Sequence, residues 1–138
     1  VNMSQSTNDV VPTALLVALH GEVGRLADAV ATLQAAFAAK AAEFRDVLKV
    51  GRTQLQDAVP MTLGQEFGAY AAMLARDAQA LRDAQALLRE INLGATAIGT
   101  GLNAPPGYAE VAPRHLSASA GIPLVTAPNL VEATQDAG

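Results

Sequence analysis

Two clusters of hydroxyl and amide side chains are the groups in this sequence best suited to chemistry. Ser6-Thr7-Asn8 precedes a long apolar stretch, and Arg52-Thr53-Gln54 lies between two stretches with helical periodicity. Donors of this kind beside helix N-termini can hold a carboxylate or stabilise a developing oxyanion. The same residue types also cap helices and fill ordinary loops. Composition and spacing leave both interpretations open.

Other chemistries have weaker support in the sequence. It contains no Gly-x-Ser-x-Gly or His-Glu-x-x-His motif and no cysteine, and its two histidines, His20 and His115, are far apart. We therefore predict no metal site. The glycine-rich residues 94–101 resemble a phosphate loop only loosely, so we interpret them as a helix exit. A net charge of −4 without a basic block disfavours a nucleic-acid partner.

Long helices are predicted to position the two clusters. Ser6–Asp9 should cap a first helix that ends near His20-Gly21, with Pro12 close to its start. From Val23 to Val47, apolar residues recur at three-four spacing on one face, which predicts a second helix of about seven turns. Gly51 is placed to end that helix.

The rest of the chain contains one more long helix and then a loop-rich region. We predict an irregular connection over 51–60, followed by a capping box of Thr62 and Gln65 that starts a helix with an apolar stripe reaching Ile91. From about residue 94 to 138, Gly and Pro predict loops. One short helix, about Tyr108 to Ala120, fits in this region, and Asn129 is suited to cap another.

The predicted fold class is all-α. Helices this long cannot bury their apolar faces in a compact globule of this size, so we expect a long-helix bundle completed by other chains, that is, an oligomer. Residues 1–138 should form part of one helical-bundle domain.

The sequence favours a cytoplasmic protein without a membrane anchor. The absence of cysteine suits a reducing compartment. The apolar run Val10–Leu19 is shorter than the roughly 20 residues that span a bilayer, so we predict a buried helix there. Because the chain opens on Val1 rather than methionine, we expect its ends to be cuts within a longer protein.

Four stretches of the sequence resemble the aspartase/class II fumarase superfamily, and together they run from end to end of the chain. They are Val1–Val10 with Pro12-Thr13-Ala14, Gly51–Phe67, Leu93–Asn103 and Asn129–Asp136. By this resemblance, the chain is the central part of a family protein and covers roughly a third of its usual length.

Within the superfamily, one position separates the branches. Fumarases of this class have histidine followed by threonine after the Gly-Arg-Thr motif, whereas this chain has Gln54-Leu55. Together with Met61, this pair resembles the aspartase branch, although some aspartases also carry histidine there. A class II fumarase remains the alternative.

The resemblance implies a reaction and a set of binding residues. The reaction is the reversible, cofactor-free elimination of ammonia from L-aspartate to give fumarate. By family likeness, Ser6 and Thr7 would bind the carboxylate that becomes doubly charged in the intermediate, and Asn8 would hold the amino group. Thr53 would contact the other carboxylate, and Gln54 would orient the amino end.

The resemblance also implies that parts of the active site are not in this sequence. The family's catalytic base is a serine in a Gly-Ser-Ser loop shortly before a Met-Pro-x-Lys-x-Asn stretch, and neither occurs here. Family sites are assembled from three subunits of a homotetramer. We therefore expect the isolated chain to supply substrate-binding residues but no catalytic residue. The alternative from another class is a non-catalytic helical assembly module.

Overall fold

The computed structural model describes residues 3–136, so Val1 and Asn2 of the first family-like stretch lie outside the described residues. The described chain is mostly helical, with two small two-stranded sheets. In chain order the elements are α1 (Thr7–Glu43), β1 (Leu48–Thr53), β2 (Gln56–Thr62), α2 (Leu63–Leu87), β3 (Glu90–Ile91), α3 (Tyr108–Ala120), β4 (Val125–Thr126) and α4 (Glu132–Gln135).

The chain divides into two compact units, and each contains part of α1 and of α2. The first, here called the terminal unit, consists of Val1–Val23 and Ala84–Gly138. The second, here called the hairpin unit, consists of Gly24–Asp83 and carries β1 and β2.

Helix α1 is continuous, so the predicted break near His20-Gly21 is wrong. A glycine inside a helix costs only about 1 kcal/mol relative to alanine, which the alanine-rich residues on both sides of Gly21 can offset. The helix also ends at Glu43, earlier than the predicted stop at Gly51.

The residues predicted as an irregular connection form an antiparallel hairpin of β1 and β2, and that prediction is therefore wrong. The turn consists of Gln54 and Leu55, which have φ values of 50° and 64°. Positive φ at both central residues is the mark of a type I′ turn, which usually contains Asn-Gly. Because neither residue is glycine or asparagine, the sequence carries no ordinary signal for this turn.

The hairpin unit is held together by an aromatic cluster and a capped helix start. The rings of Phe37 and Phe67 have centroids 5.5 Å apart, and those of Phe44 and Phe67 lie 5.7 Å apart. The capping box at α2 is confirmed: Thr62 N donates to Gln65 Oε1 at 2.9 Å, and Gln65 N donates to Thr62 Oγ1 at 3.1 Å. These contacts fix the start of α2, directly after the hairpin.

In the terminal unit, strands β3 and β4 pair in parallel. Helix α2 ends at Leu87, so Ile91, which we predicted on its apolar stripe, lies instead in β3, where it is fully buried. Our interpretation of residues 94–101 as a plain helix exit is therefore wrong, because strand β3 lies between α2 and this loop.

Two predictions for the last part of the chain are confirmed. Helix α3 runs over Tyr108–Ala120. Asn129 Oδ1 accepts from the backbone N of Val131 and of Glu132, both at 3.2 Å, just before α4. Both features follow from local rules of helix capping and turn chemistry.

Much of the apolar surface of α1 is uncovered in the single chain. The exposed fractions of Val11 and Leu15 are 58% and 54%, so the predicted burial of this stretch is wrong for one chain alone. Among the described residues, α1 is long and apolar enough to cross a membrane, by length and composition only. The core helices of soluble proteins can be equally long and apolar.

Candidate functional site

The Ser6-Thr7-Asn8 cluster forms the start of α1. Ser6 precedes the first helical residue, and its Oγ accepts a hydrogen bond from Asn8 N at 3.1 Å. Thr7 and Asn8 are exposed in the first turn. The first N–H groups of a helix lack partners within it, and the helix dipole makes this end attractive to anions. The cluster therefore serves as a helix cap and also presents donors to solvent.

A buried carboxylate directly after the cluster connects it to a distant loop. Asp9 is fully buried, and its Oδ1 accepts from Ser6 N at 2.9 Å. Its Oδ2 accepts from Gly94 N at 3.1 Å and from Thr96 N at 3.0 Å. Three backbone donors thus hold one carboxylate and tie the start of α1 to residues 94–96. Asp9 was predicted only as one of the capping residues Ser6–Asp9, and its place three residues after Ser6 fits a capping box.

The same loop also fixes the side chain of Asn8. Asn8 Nδ2 donates to the carbonyl oxygen of Ala97 at 2.7 Å. Only the amide nitrogen can donate to a carbonyl, so this bond sets which way the amide faces. The acceptor Oδ1 is therefore the Asn8 side-chain atom suited to a donor group on a ligand.

A buried amide, that of Asn92, supports the first turns of α1. Pro12 has no N–H to bond the carbonyl of Asn8 four residues earlier, and Asn92 Nδ2 donates to that carbonyl at 3.1 Å instead. Asn92 Nδ2 also donates to Thr134 Oγ1 at 3.2 Å, and Asn92 is only 2% exposed. The proline inside α1 is thus tolerated because a side chain from outside the helix replaces the lost backbone donor.

A hollow of about 350 Å³ lies at the start of α1, in the terminal unit. It is lined by Gln5, Ser6, Thr7, Val10 and Val11, so it contains two of the predicted binding residues. A larger cavity of about 710 Å³ contains none of them. We place the candidate site at the smaller hollow, because it is lined by Ser6 and Thr7 at the start of α1.

Thr53 and Gln54 lie at the tip of the hairpin. Thr53 is the last residue of β1 and pairs with Gln56, while Gln54 is the first turn residue. Both are exposed. A cross-strand ion pair between Arg52 Nε and Asp57 Oδ1, at 3.1 Å, lies beside them. The hairpin therefore presents both side chains to solvent.

The structure thus gathers the five predicted binding residues into two groups. Ser6, Thr7 and Asn8 share one helical turn in the terminal unit, and Thr53 and Gln54 share one turn in the hairpin unit. Across residues 3–136, no three His, Cys, Asp or Glu side chains come together in a way that could hold a metal ion.

Comparison with known proteins places the chain in a family. The family model described as lyase matches residues 1–138, the whole chain. The chain belongs to the lyase family. The family membership predicted from the four matching stretches is therefore confirmed.

Several curated members of the lyase family match this chain over its full length. It is 52% identical over 138 residues to an aspartate ammonia-lyase of Helicobacter pylori and covers 30% of that protein. It is 51% identical over 138 residues to the aspartate ammonia-lyase of Escherichia coli K12, and 56% identical over 139 residues to that of Pseudomonas aeruginosa, with 29% of each relative covered. The chain thus spans about 30% of the length of these relatives.

Solved lyase structures share the fold. A fumarate lyase:delta crystallin from Brucella melitensis, bound to cobalt, matches 96% of this chain with a TM-score of 0.91 and 56% identity, over 29% of its own length. The class II fumarase of Schistosoma mansoni matches 96% with a TM-score of 0.85 and 30% identity, over 31% of its length. These matches and the mostly helical structure confirm the predicted helical fold class.

Proposed function

We propose that this chain is part of an aspartate ammonia-lyase, which converts L-aspartate reversibly to fumarate and ammonia. The observation that carries the proposal is the 51–56% identity to three aspartate ammonia-lyases over the whole chain, against 30% for the class II fumarase structure. Gln54 also favours an aspartate ammonia-lyase over a fumarase. By the family resemblance, fumarases of this class have histidine at this position.

The start of α1 is suited to the difficult step of such a reaction. Removing the proton from C3 of aspartate places a second negative charge on the neighbouring carboxylate. Donors that bind this dianion more tightly than the ground-state carboxylate lower the barrier. In the proposed site the Ser6 and Thr7 hydroxyls, beside the positive end of the α1 dipole, supply those donors.

Asn8 is proposed to hold the amino group of aspartate. An ammonium group is a donor only, so it needs an acceptor. The bond from Asn8 Nδ2 to the carbonyl of Ala97 supports this role, because it reserves Oδ1 for the ligand. Thr53 and Gln54, at the exposed hairpin tip, would contact the second carboxylate and the amino end.

We also propose that the complete protein is a cytoplasmic homotetramer that uses no cofactor in the elimination. The exposed apolar residues of α1, such as Leu26 and Leu33, support an oligomer, because burying them against other helices is favourable. The catalytic base would come from a part of the complete protein outside these 138 residues, so the isolated chain should bind substrate at most and turn over none.

A chimaeric enzyme tests the function. In it, this chain replaces the 138 matched residues of the Escherichia coli aspartate ammonia-lyase, a replacement that 51% identity makes feasible. Fumarate formation from L-aspartate and from L-malate is followed by absorbance at equal enzyme concentration, with the unaltered Escherichia coli enzyme as control. We expect aspartate to be deaminated and malate to be left unchanged. Preferential conversion of malate would indicate a fumarase instead, and a folded chimaeric enzyme without either activity would favour a non-catalytic module.

A further inference from the structure

The buried carboxylate of Asp9 has no assigned role in the proposed reaction. It is fully buried, and both of its oxygens accept backbone hydrogen bonds. A capping role at α1 would need only the bond from Ser6 N to Oδ1. The two bonds from Gly94 N and Thr96 N to Oδ2 need another explanation, because they join residues 85 and 87 positions apart in the sequence.

The loop that Asp9 binds is the loop that orients Asn8. Ala97, whose carbonyl accepts from Asn8 Nδ2, follows Thr96 directly. Thr96 has a φ of 58°, an unfavourable value for a residue with a branched side chain, and its N–H points to the carboxylate. The bond to Asp9 helps to hold this conformation and therefore the place of the next carbonyl.

We propose that Asp9 is a positioning residue: its carboxylate fixes residues 94–97 against the start of α1, so that Asn8 presents Oδ1 to the amino group of the substrate. The proposal rests on the proposed function, since it assigns the amino group to Asn8. Asp9 itself does not contact the substrate, because it is fully buried. It acts through Gly94, Thr96 and Ala97 on the Asn8 amide.

The test compares a variant of Asp9 with a variant of the capping box at α2, both in the chimaeric enzyme. Asp9→Asn keeps the side-chain size but replaces one acceptor oxygen with an NH2 group, which can only donate and so cannot bond the backbone N–H groups that it faces. Gln65→Ala removes the corresponding bond at α2, from Thr62 N to Gln65 Oε1, which is also 2.9 Å long. The thermal midpoint, kcat and KM for L-aspartate are measured for both. The inhibition constant of succinate, a dicarboxylate without an amino group, is measured as well.

We expect Asp9→Asn to lower kcat/KM for aspartate about 10²-fold, as a small misplacement of a binding group does. Its effect on aspartate should exceed its effect on succinate binding by about tenfold or more, because a hydrogen bond to the charged amino group is lost only with aspartate. Gln65→Ala should lower the midpoint but leave kcat/KM within about twofold, as loss of a cap has little direct effect on chemistry. Equal losses of activity in the two variants, or equal losses for aspartate and succinate, would overturn the proposal.

A second measurement applies if Asp9→Asn does not fold. Hydrogen exchange of the Gly94 and Thr96 amides is then followed in the unsubstituted chimaeric enzyme, with and without L-aspartate bound. Slower exchange with the ligand bound supports coupling between this loop and the site, and unchanged exchange overturns it. Failure of the unsubstituted chimaeric enzyme to deaminate aspartate would instead contradict the proposed function, so the two failures are distinguishable.

Discussion

Gly64, at the start of α2, gives the sharpest prediction of stability. A β-carbon at this position would lie 2.6 Å from the carbonyl oxygen of Ala41 and 2.7 Å from the Cα of Arg45. Both are backbone atoms, which cannot turn away as a side chain can. The backbone there is held by further bonds, since Gly64 N donates to Phe44 O at 2.9 Å. Replacing Gly64 with alanine must therefore push the start of α2 away from the backbone at the end of α1.

The size of the effect follows from two opposing contributions. Forcing an extra methyl group into a packed site costs about 1–3 kcal/mol, and a clash with backbone places Gly64→Ala near the upper end. Alanine regains about 1 kcal/mol of helix propensity. We expect a net loss of about 2 kcal/mol, which lowers the thermal midpoint by about 6–10 °C for a chain of this size.

Gly68, one turn later in α2, is the matched control. A β-carbon there would meet only the Cβ of Ala41, at 3.8 Å, which is an ordinary contact. Gly68→Ala should therefore gain about 1 kcal/mol from propensity and raise the midpoint. Thermal unfolding of the unsubstituted chain and both variants is followed by circular dichroism. If Gly64→Ala raises the midpoint as much as Gly68→Ala does, the close approach of α2 to Ala41 and Arg45 is refuted.

Three further predictions concern the hairpin and the capping box. In the chimaeric enzyme, Thr53→Ala should lower kcat/KM for aspartate about 10²- to 10³-fold by removing a donor to the substrate, with an unchanged thermal midpoint; a lowered midpoint with normal kcat/KM would make Thr53 structural. Thr62→Ala should do the opposite, losing about 1 kcal/mol of stability while kinetics stay near normal, and a large kinetic loss would contradict its assignment as a cap. Leu55→Gly should raise the midpoint, because Leu55 has a φ of 64° and is 95% exposed, so that glycine relieves about 1 kcal/mol or more of backbone strain at no cost in packing. A lowered midpoint for Leu55→Gly would show that the turn conformation is not strained.

Local rules predicted the features whose causes lie within a few residues. The Thr62–Gln65 capping box, the bounds of α3 and the Asn129 cap depend on neighbours three or four positions away, and each is confirmed. The hairpin was missed because its turn uses Gln54 and Leu55 at positive φ, which no common turn motif indicates.

The residues of the candidate site could be predicted from the sequence, but the hydrogen bonds that position them could not. Residue types and family resemblance indicated Ser6, Thr7 and Asn8, and these share one helical turn. The bonds of Asp9 to Gly94 and of Asn8 to Ala97 join positions 85 and 89 residues apart, and no periodicity or local motif specifies such pairs. Only the folded arrangement of α1 and the loop shows why an aspartate follows the cluster.

A crystal structure of the chimaeric enzyme with succinate bound would show whether these side chains bind the substrate. We expect one succinate carboxylate within hydrogen-bonding distance of the Ser6 and Thr7 hydroxyls, and the other near Thr53, from the same or another subunit. Succinate bound in the active site with neither carboxylate at these side chains would contradict the assignment of this chain as the substrate-binding part of an aspartate ammonia-lyase.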